Sequence, residues 1–338
     1  MKEKKMLMTG LIWGVVVSLG LAALAVLAAY LFARLWARPA RRPVEDGAIE
    51  GLLPYRKITF DSAGEAVQGW LVPPVNVPKP WPTVIVAHGW SHNRARMLPI
   101  ASALHRAGLA VLLFDARGHG NSGGRPPITL RHFVEDQLAA VSFAQAQTDL
   151  DAGRIAILGH SFGAAAAILT ASVDPRLRAV VAISPFADPR AVTRRALKHF
   201  HLPVQPILWI SSHIFSRWLG LPMSAFTPLS RIHRVEVPLQ LIHGNADRMI
   251  PVNASQTLAA RSNGNGDLFI VDGGSHGSVL RDSRVHARGV DFIRQQMDRQ
   301  DRLAIIPSTQ VHDHLRRSLL PRRTLSASGK ASQVTSMP

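Results

Sequence analysis

The pentapeptide Gly159-His160-Ser161-Phe162-Gly163 constrains this chain more than any other stretch. The residues ahead of it, 154–158, are short, apolar and β-branched, which predicts a buried strand; the residues behind it, 164–171, are alanine-rich and predict a helix. A strand that turns through G-x-S-x-G into a helix is a nucleophile elbow. So sharp a turn forces the serine into a strained backbone conformation. Strand and helix can pass that closely only if the residues two before and two after the serine carry almost no side chain, a condition met by Gly159 and Gly163. The turn exposes Ser161 Oγ at the carboxyl end of a strand and aims the Phe162 N–H at an oxyanion site.

The surrounding pattern fits such a strand. Apolar runs at 55–60 and 67–72 flank an Asp61-Ser-Ala-Gly64 turn and predict a hairpin. Buried strands are predicted at 83–87, 109–114, 179–183, 239–242 and 267–271, with helices over 98–107, 130–148 and 285–297. Strands alternating with helices give a mostly parallel sheet covered on both faces. Functional groups in such sheets gather at the carboxyl ends of the strands.

A serine hydroxyl is a poor nucleophile until a base takes its proton, and the best base is a histidine held in one tautomer by a carboxylate. His276, in Gly274-Ser275-His276-Gly277, follows the last strand; Asp247, in His243-Gly-Asn-Ala-Asp247, follows the strand before it. The order Ser161, Asp247, His276 is the one this elbow demands. A second oxyanion donor is due from the loop after the 83–87 strand, which assigns the Trp90 N–H. Other residues have structural readings. Asp115 lies in an Asp-x-x-Gly-x-Gly turn, Asp272 suits a loop better than an orienting partner, Ser122 lacks an elbow, and His160 packs inside one. His88, His119 and His243 end strands or begin turns, where imidazoles bond the backbone. The chain has 15 histidines but no H-E-x-x-H or comparable ligand set, so neither a metal nor a cofactor is expected.

On these motifs, together with His88-Gly89 and Phe114-Asp-Ala-Arg-Gly-His-Gly-Asn-Ser122, the chain resembles the α/β-hydrolase superfamily, and within it the bacterial serine hydrolases of the alpha/beta-fold hydrolase group. The resemblance covers roughly residues 52–300. It implies the Ser161, Asp247, His276 triad and hydrolysis through an acyl-enzyme without a cofactor. A carboxylic ester is the expected substrate; a thioester, a peptide, an acyl acceptor and a non-catalytic binding module are the alternatives. The resemblance names no particular substrate, because one fold hosts many chemistries.

The ends and one insertion depart from that pattern. No charge lies between Lys5 and Arg34, a run long enough to cross a bilayer and too long for a signal-peptide core. Residues 1–36 are therefore read as a transmembrane signal anchor, with cleavage near Ala23-Leu24-Ala25 as the alternative, and 37–51 as a linker. Arg34, Arg38, Arg41 and Arg42 against Lys2, Lys4 and Lys5 lean toward a cytoplasmic enzyme domain at a bacterial inner membrane. Gly10 and Gly14 form one GxxxG. Residues 186–236 are expected to form a helical lid. From Arg190 to Arg234 this stretch carries Lys and Arg but no Asp or Glu, alongside Phe200, Trp209, Ile210, Ile214, Phe215, Trp218 and Leu219. That is the composition of an interfacial helix, and equally of a lid with a solvated basic side. Residues 301–338 read as a basic, disordered tail with a short amphipathic helix over 311–320. Across the 338 residues the net charge is +17, yet the basic residues are dispersed and no nucleic-acid motif accompanies them, so the expected partner is a membrane surface. The absence of Cys excludes disulfides and a thiol nucleophile.

Overall fold

A computed structural model describes residues 2–199 and 204–298; Phe200, the tail over 301–338 and its amphipathic stretch lie outside the described residues. The strands are β1 (Arg56–Ser62), β2 (Glu65–Val72), β3 (Trp81–Ala87), β4 (Ala110–Phe114), β5 (Leu150–His160), β6 (Leu177–Ile183), β7 (Leu239–Gly244) and β8 (Gly266–Val271). They form one sheet in the order β1-β2-β4-β3-β5-β6-β7-β8. β2 is antiparallel to β1 and β4, and every other pairing is parallel. The helices are α1 (Lys2–Trp36), α2 (Leu98–Arg106), α3 (Leu130–Gln145), α4 (Phe162–Ala171), α5 (Pro189–His199), α6 (Val204–Leu219), α7 (Pro228–Arg231), α8 (Asn253–Ala260) and α9 (Ser283–Asp298).

The two-residue period of a strand sends alternate side chains into two cores. Ile85, Leu112, Ile155 and Ile157 pack with α3 and α4 on one face. Val84, Val86, Val111, Leu113, Ala156 and Leu158 pack with α2 and α9 on the other. Because both faces are covered, β4 is apolar at every position, as are β3 over 84–87 and β5 over 155–158, and the continuous runs in the sequence reflect that.

Some boundaries differ from the sequence pattern. β1 continues through Ser62, opposite Glu65, so the hairpin turns on Ala63 and Gly64 alone, at φ 54° and 84°. The extension has a partner: Ser62 Oγ donates to buried Asp136 on α3 at 2.7 Å. α3 stops at Gln145, three residues short of 148, and the freed residues turn into β5; just before that strand, Asp149 O accepts the Trp81 N–H at 2.9 Å. α8 had no clear sequence signal, because only Ser255 and Leu258 of its eight residues are buried. The 186–236 insertion holds α5, α6 and α7, so it is helical as expected.

α1 is 35 residues long and is long and apolar enough to cross a membrane. Its apolar side chains from Met6 to Leu27 are exposed, and a Cβ on Gly10 or Gly14 would meet nothing within 4 Å. Near its end the contacts change: Ala29, Ala33 and Ala37 are buried, packed against α6.

Candidate active site

Ser161 sits between β5 and α4 at φ 55° and ψ −113°. A side chain at that φ is strained by about 1–3 kcal/mol and persists only where its surroundings over-determine it. Here the Ser161 N–H donates to Ile183 O on β6 at 2.8 Å, and Ser161 O accepts from Ala165 N at 2.9 Å as α4 begins. The crowding expected of an elbow is present. A Cβ on Gly159 would lie 2.5 Å from Gly163 C, and one on Gly163 would lie 2.5 Å from His88 O.

β7 and β8 lie side by side, and the loops that leave them are tied together. Ala246 N–H donates to Gly274 O at 3.0 Å, and the Asn245 side chain donates to Asp272 Oδ1 at 2.8 Å. This brings three sequence-derived residues into one hydrogen-bonded chain. His276 Nε2 is 3.0 Å from Ser161 Oγ, and His276 Nδ1 is 2.7 Å from Asp247 Oδ2. A carboxylate can only accept, so the proton between His276 and Asp247 is assigned to Nδ1, which leaves the Nε2 lone pair facing the serine hydroxyl. Asp247 Oδ1 accepts the backbone N–H groups of Met249 and Ile250, both at 2.8 Å. Burial opposes the charge on Asp247, but hydrogen bonds from His243, His276 and Ile250 outweigh it and hold the carboxyl well below the ordinary carboxylate range.

The two oxyanion candidates flank the serine. Phe162 is the first residue of α4, and the N–H groups of a helix's first turn have no intrahelical acceptor. The loop bearing Trp90 runs against the elbow, since a Cβ on Gly89 would sit 3.2 Å from Ser161 Cβ. The Trp90 indole packs tilted against the Phe162 ring at 4.9 Å between ring centres, one edge of an aromatic group that includes His119 and Phe133.

The remaining candidates have other work. Asp115 is fully buried; it accepts Arg94 N–H at 2.7 Å and Asn121 N–H at 2.9 Å, and it pairs with the Arg94 guanidinium. Ser122 Oγ donates to Asp115 O at 2.6 Å and accepts from Gln68 N at 2.8 Å, which fixes the turn on β2. His88 accepts the Ala116 N–H at Nε2, 3.0 Å away, and donates from Nδ1 to Gly89 O at 2.7 Å. Burial lowers its pKa to about 4 and that of His119 to about 3, so both rings are neutral. Among the described residues no cluster of His, Asp and Glu could hold a metal.

Two positioning histidines and a groove were not assigned from the sequence. His160 Nε2 donates to His276 O at 2.9 Å, which braces the loop carrying His276, and burial lowers the His160 pKa to about 3. His243 lies between Ser255 Oγ and Ile250 O, at 2.7 and 2.8 Å, with Nε2 3.4 Å from Asp247 Oδ2. The i,i+4 spacing of His243 and Asp247 across a tight turn is the signal that would have found it. The groove, about 360 Å³, runs between the start of α5 and the loop after Asp247. Phe186, Ala191, Val192, Met249, Ile250 and Arg195 are among its walls. Phe186, one wall of the groove, packs 5.5 Å from the Phe162 ring of the elbow. Its walls come from separate segments of chain, which no local pattern joins.

An eight-stranded sheet with this elbow, and with Asp247 and His276 on the two loops after β7 and β8, is the architecture of the α/β-hydrolase class. Comparison with known proteins agrees. Residues 78–231 match a family model described as serine aminopeptidase, S33. An uncharacterised protein of Mycobacterium tuberculosis is 32% identical over 223 residues, 66% of this chain and 72% of that protein. A thiohydrolase of Aspergillus aculeatus is 32% identical over 110 residues, 32% of this chain and 35% of that protein. An esterase of Pyrococcus furiosus superposes with a TM-score of 0.62 at 24% identity, covering 77% of this chain and 99% of the esterase. The chain belongs to the α/β-hydrolase superfamily.

Proposed function

We propose that the protein is a membrane-anchored serine hydrolase that cleaves carboxylic esters through Ser161, His276 and Asp247. The observation that carries this reading is the hydrogen-bonded chain from Ser161 Oγ to His276 at 3.0 Å and on to Asp247 at 2.7 Å, built on a strained serine. His276 Nε2 takes the hydroxyl proton as Oγ attacks the ester carbonyl. Asp247, held ionised by its donors, stabilises the imidazolium that forms. The Phe162 and Trp90 N–H groups bind the oxyanion, each worth about 3–4 kcal/mol in comparable sites. The imidazolium then gives its proton to the departing alcohol. Water repeats the sequence on the acyl-enzyme and releases the acid.

The apolar groove beside the elbow is the place for the acyl chain, with α5 and α6 as its lid. α1 serves as a single-pass anchor. The same machinery acts on thioesters, and the thiohydrolase relative makes them the second reading. The test is Ser161→Ala in the full chain: p-nitrophenyl ester hydrolysis falls to background while the thermal unfolding midpoint stays close to wild type. Hydrolysis unchanged in that variant refutes the assignment.

A further inference from the structure

The contact between α1 and α6 fixes the direction in which the inserted helices point. Ala29 of α1 packs with Leu197 at the end of α5 and with Ile207 and Leu208 in the first half of α6. Ala33 and Ala37 pack with Phe215 and Trp218 in the second half of α6. The two helices therefore run parallel, and the C-terminal end of α5 and the N-terminal half of α6 face the apolar end of α1.

The level of a bilayer follows from α1 itself. Its exposed apolar surface begins at Met6, just past Lys4 and Lys5. About 20 helical residues span a hydrocarbon core, which puts the far boundary near Val26, one turn before Ala29. A helix of 35 residues is about 50 Å long, so it outruns a core of about 30 Å, and the excess lies on the α6 side. The ends of α5 and α6 that pack against Ala29 consequently lie at headgroup depth. Their exposed chemistry suits that layer. Trp209 is 66% exposed beside Leu208. Arg194 and Lys198 are exposed and one helical turn apart on α5, in a stretch without a single acidic residue. Amphipathic indoles favour the interface, and Lys and Arg favour anionic phosphates.

We propose that the facing ends of α5 and α6 are seated in the headgroup layer of an anionic bilayer, so that the groove whose Phe186 wall packs on the elbow draws its ester substrates from the membrane. The proposal rests on α1 spanning the bilayer and on the esterase reading above. It commits the substrate to a lipid-soluble ester that reaches the groove along α5, whose first turns form one of its walls.

The chain has no Cys, so a single reporter can be placed in the full-length protein. Trp209→Cys and Thr148→Cys, the second exposed ahead of the N-terminal end of β5 and so at the opposite end of that strand from Ser161, each carry a fluorophore in vesicles of phosphatidylcholine with phosphatidylglycerol. Headgroup-level nitroxide lipids quench the probe at 209 several-fold more strongly than the probe at 148. Equal quenching at the two sites overturns the proposal. In a second arm, Arg194→Gln combined with Lys198→Gln lowers hydrolysis of a long-chain ester held in those vesicles by about tenfold, in keeping with the loss of two lipid-facing cations. Hydrolysis of a water-soluble short-chain ester is unchanged. An undiminished rate on the vesicle-borne ester also overturns the proposal. If wild-type protein cleaves neither ester, the esterase reading fails, and the quenching arm still decides the seating of the helices.

Discussion

Replacing Asp247 with Asn probes the hydrogen-bond chain at the point where geometry dictates the outcome. Asp247 uses both oxygens as acceptors: Oδ1 takes two backbone N–H groups at 2.8 Å, and Oδ2 takes the His276 Nδ1 proton at 2.7 Å. A carboxamide has one acceptor oxygen and one NH₂ donor. Two fixed N–H donors at the Oδ1 position compel the amide oxygen to sit there, because the opposite orientation opposes donor to donor twice. The NH₂ then faces His276 Nδ1, which must accept. The imidazole proton moves to Nε2, and the base has no lone pair for the Ser161 hydroxyl. In comparable triads this wrong-tautomer change lowers kcat by about ten-thousand-fold, about 5 kcal/mol of barrier. Shape and backbone contacts are preserved, so Asp247→Asn folds and binds substrate. Steady-state kcat and KM on a p-nitrophenyl ester, with a thermal melt as control, provide the measurement. A loss of less than about tenfold would refute the orienting role of Asp247.

Two further outcomes are expected. His88, His119 and His160 are buried and neutral, with pKa values lowered to about 4, 3 and 3 from an ordinary 6.5. A folded pKa below the unfolded one means that the unfolded chain takes up protons first as pH falls. The stability these rings allow is complete above about pH 6.5 and is lost as the pH drops toward their folded pKa values, by about 2 kcal/mol each at pH 5. Urea midpoints of the detergent-solubilised chain measured from pH 7.5 to pH 5 fall steadily; a flat profile contradicts the burial of these rings as neutral species. In the groove, Val192→Phe places a ring in a space of about 360 Å³, so activity on long-chain p-nitrophenyl esters drops while activity on the acetate holds. Equal losses across the chain-length series would mean that the acyl chain lies elsewhere.

Much of this was legible in the sequence, because the local physics is severe. An elbow needs glycine at two fixed offsets: Gly163 C crowds Gly159 from within the same turn, while His88 O, which crowds Gly163, comes from the distant loop after β3. The buried strands were legible because burial on both faces makes each an unbroken apolar run, as in β4. The placement of Asp247 and His276 on successive loops could be read because each follows a strand. What could not be read depends on tertiary neighbours. β1 extends to Ser62 because Asp136, 74 residues later, accepts its hydroxyl. α8 carries too few buried side chains to show a period. His160 and His243 look like generic turn residues until the loops they brace are brought alongside, and the groove joins residues from 186 to 257. The parallel packing of α1 on α6 is equally invisible, since Ala29 and Ala33 read as ordinary content of an apolar helix and Ala37 as the first residue of a linker.

The claim beneath all of this is that Ser161 Oγ is the activated nucleophile. Treating the folded full-length protein with a fluorophosphonate and mapping the adduct by peptide mass spectrometry tests it directly. The account predicts one phosphonyl group on Ser161, with labelling abolished by heat denaturation and strongly slowed in Asp247→Asn. An adduct on another residue such as Ser122, or none on the native protein, would contradict it.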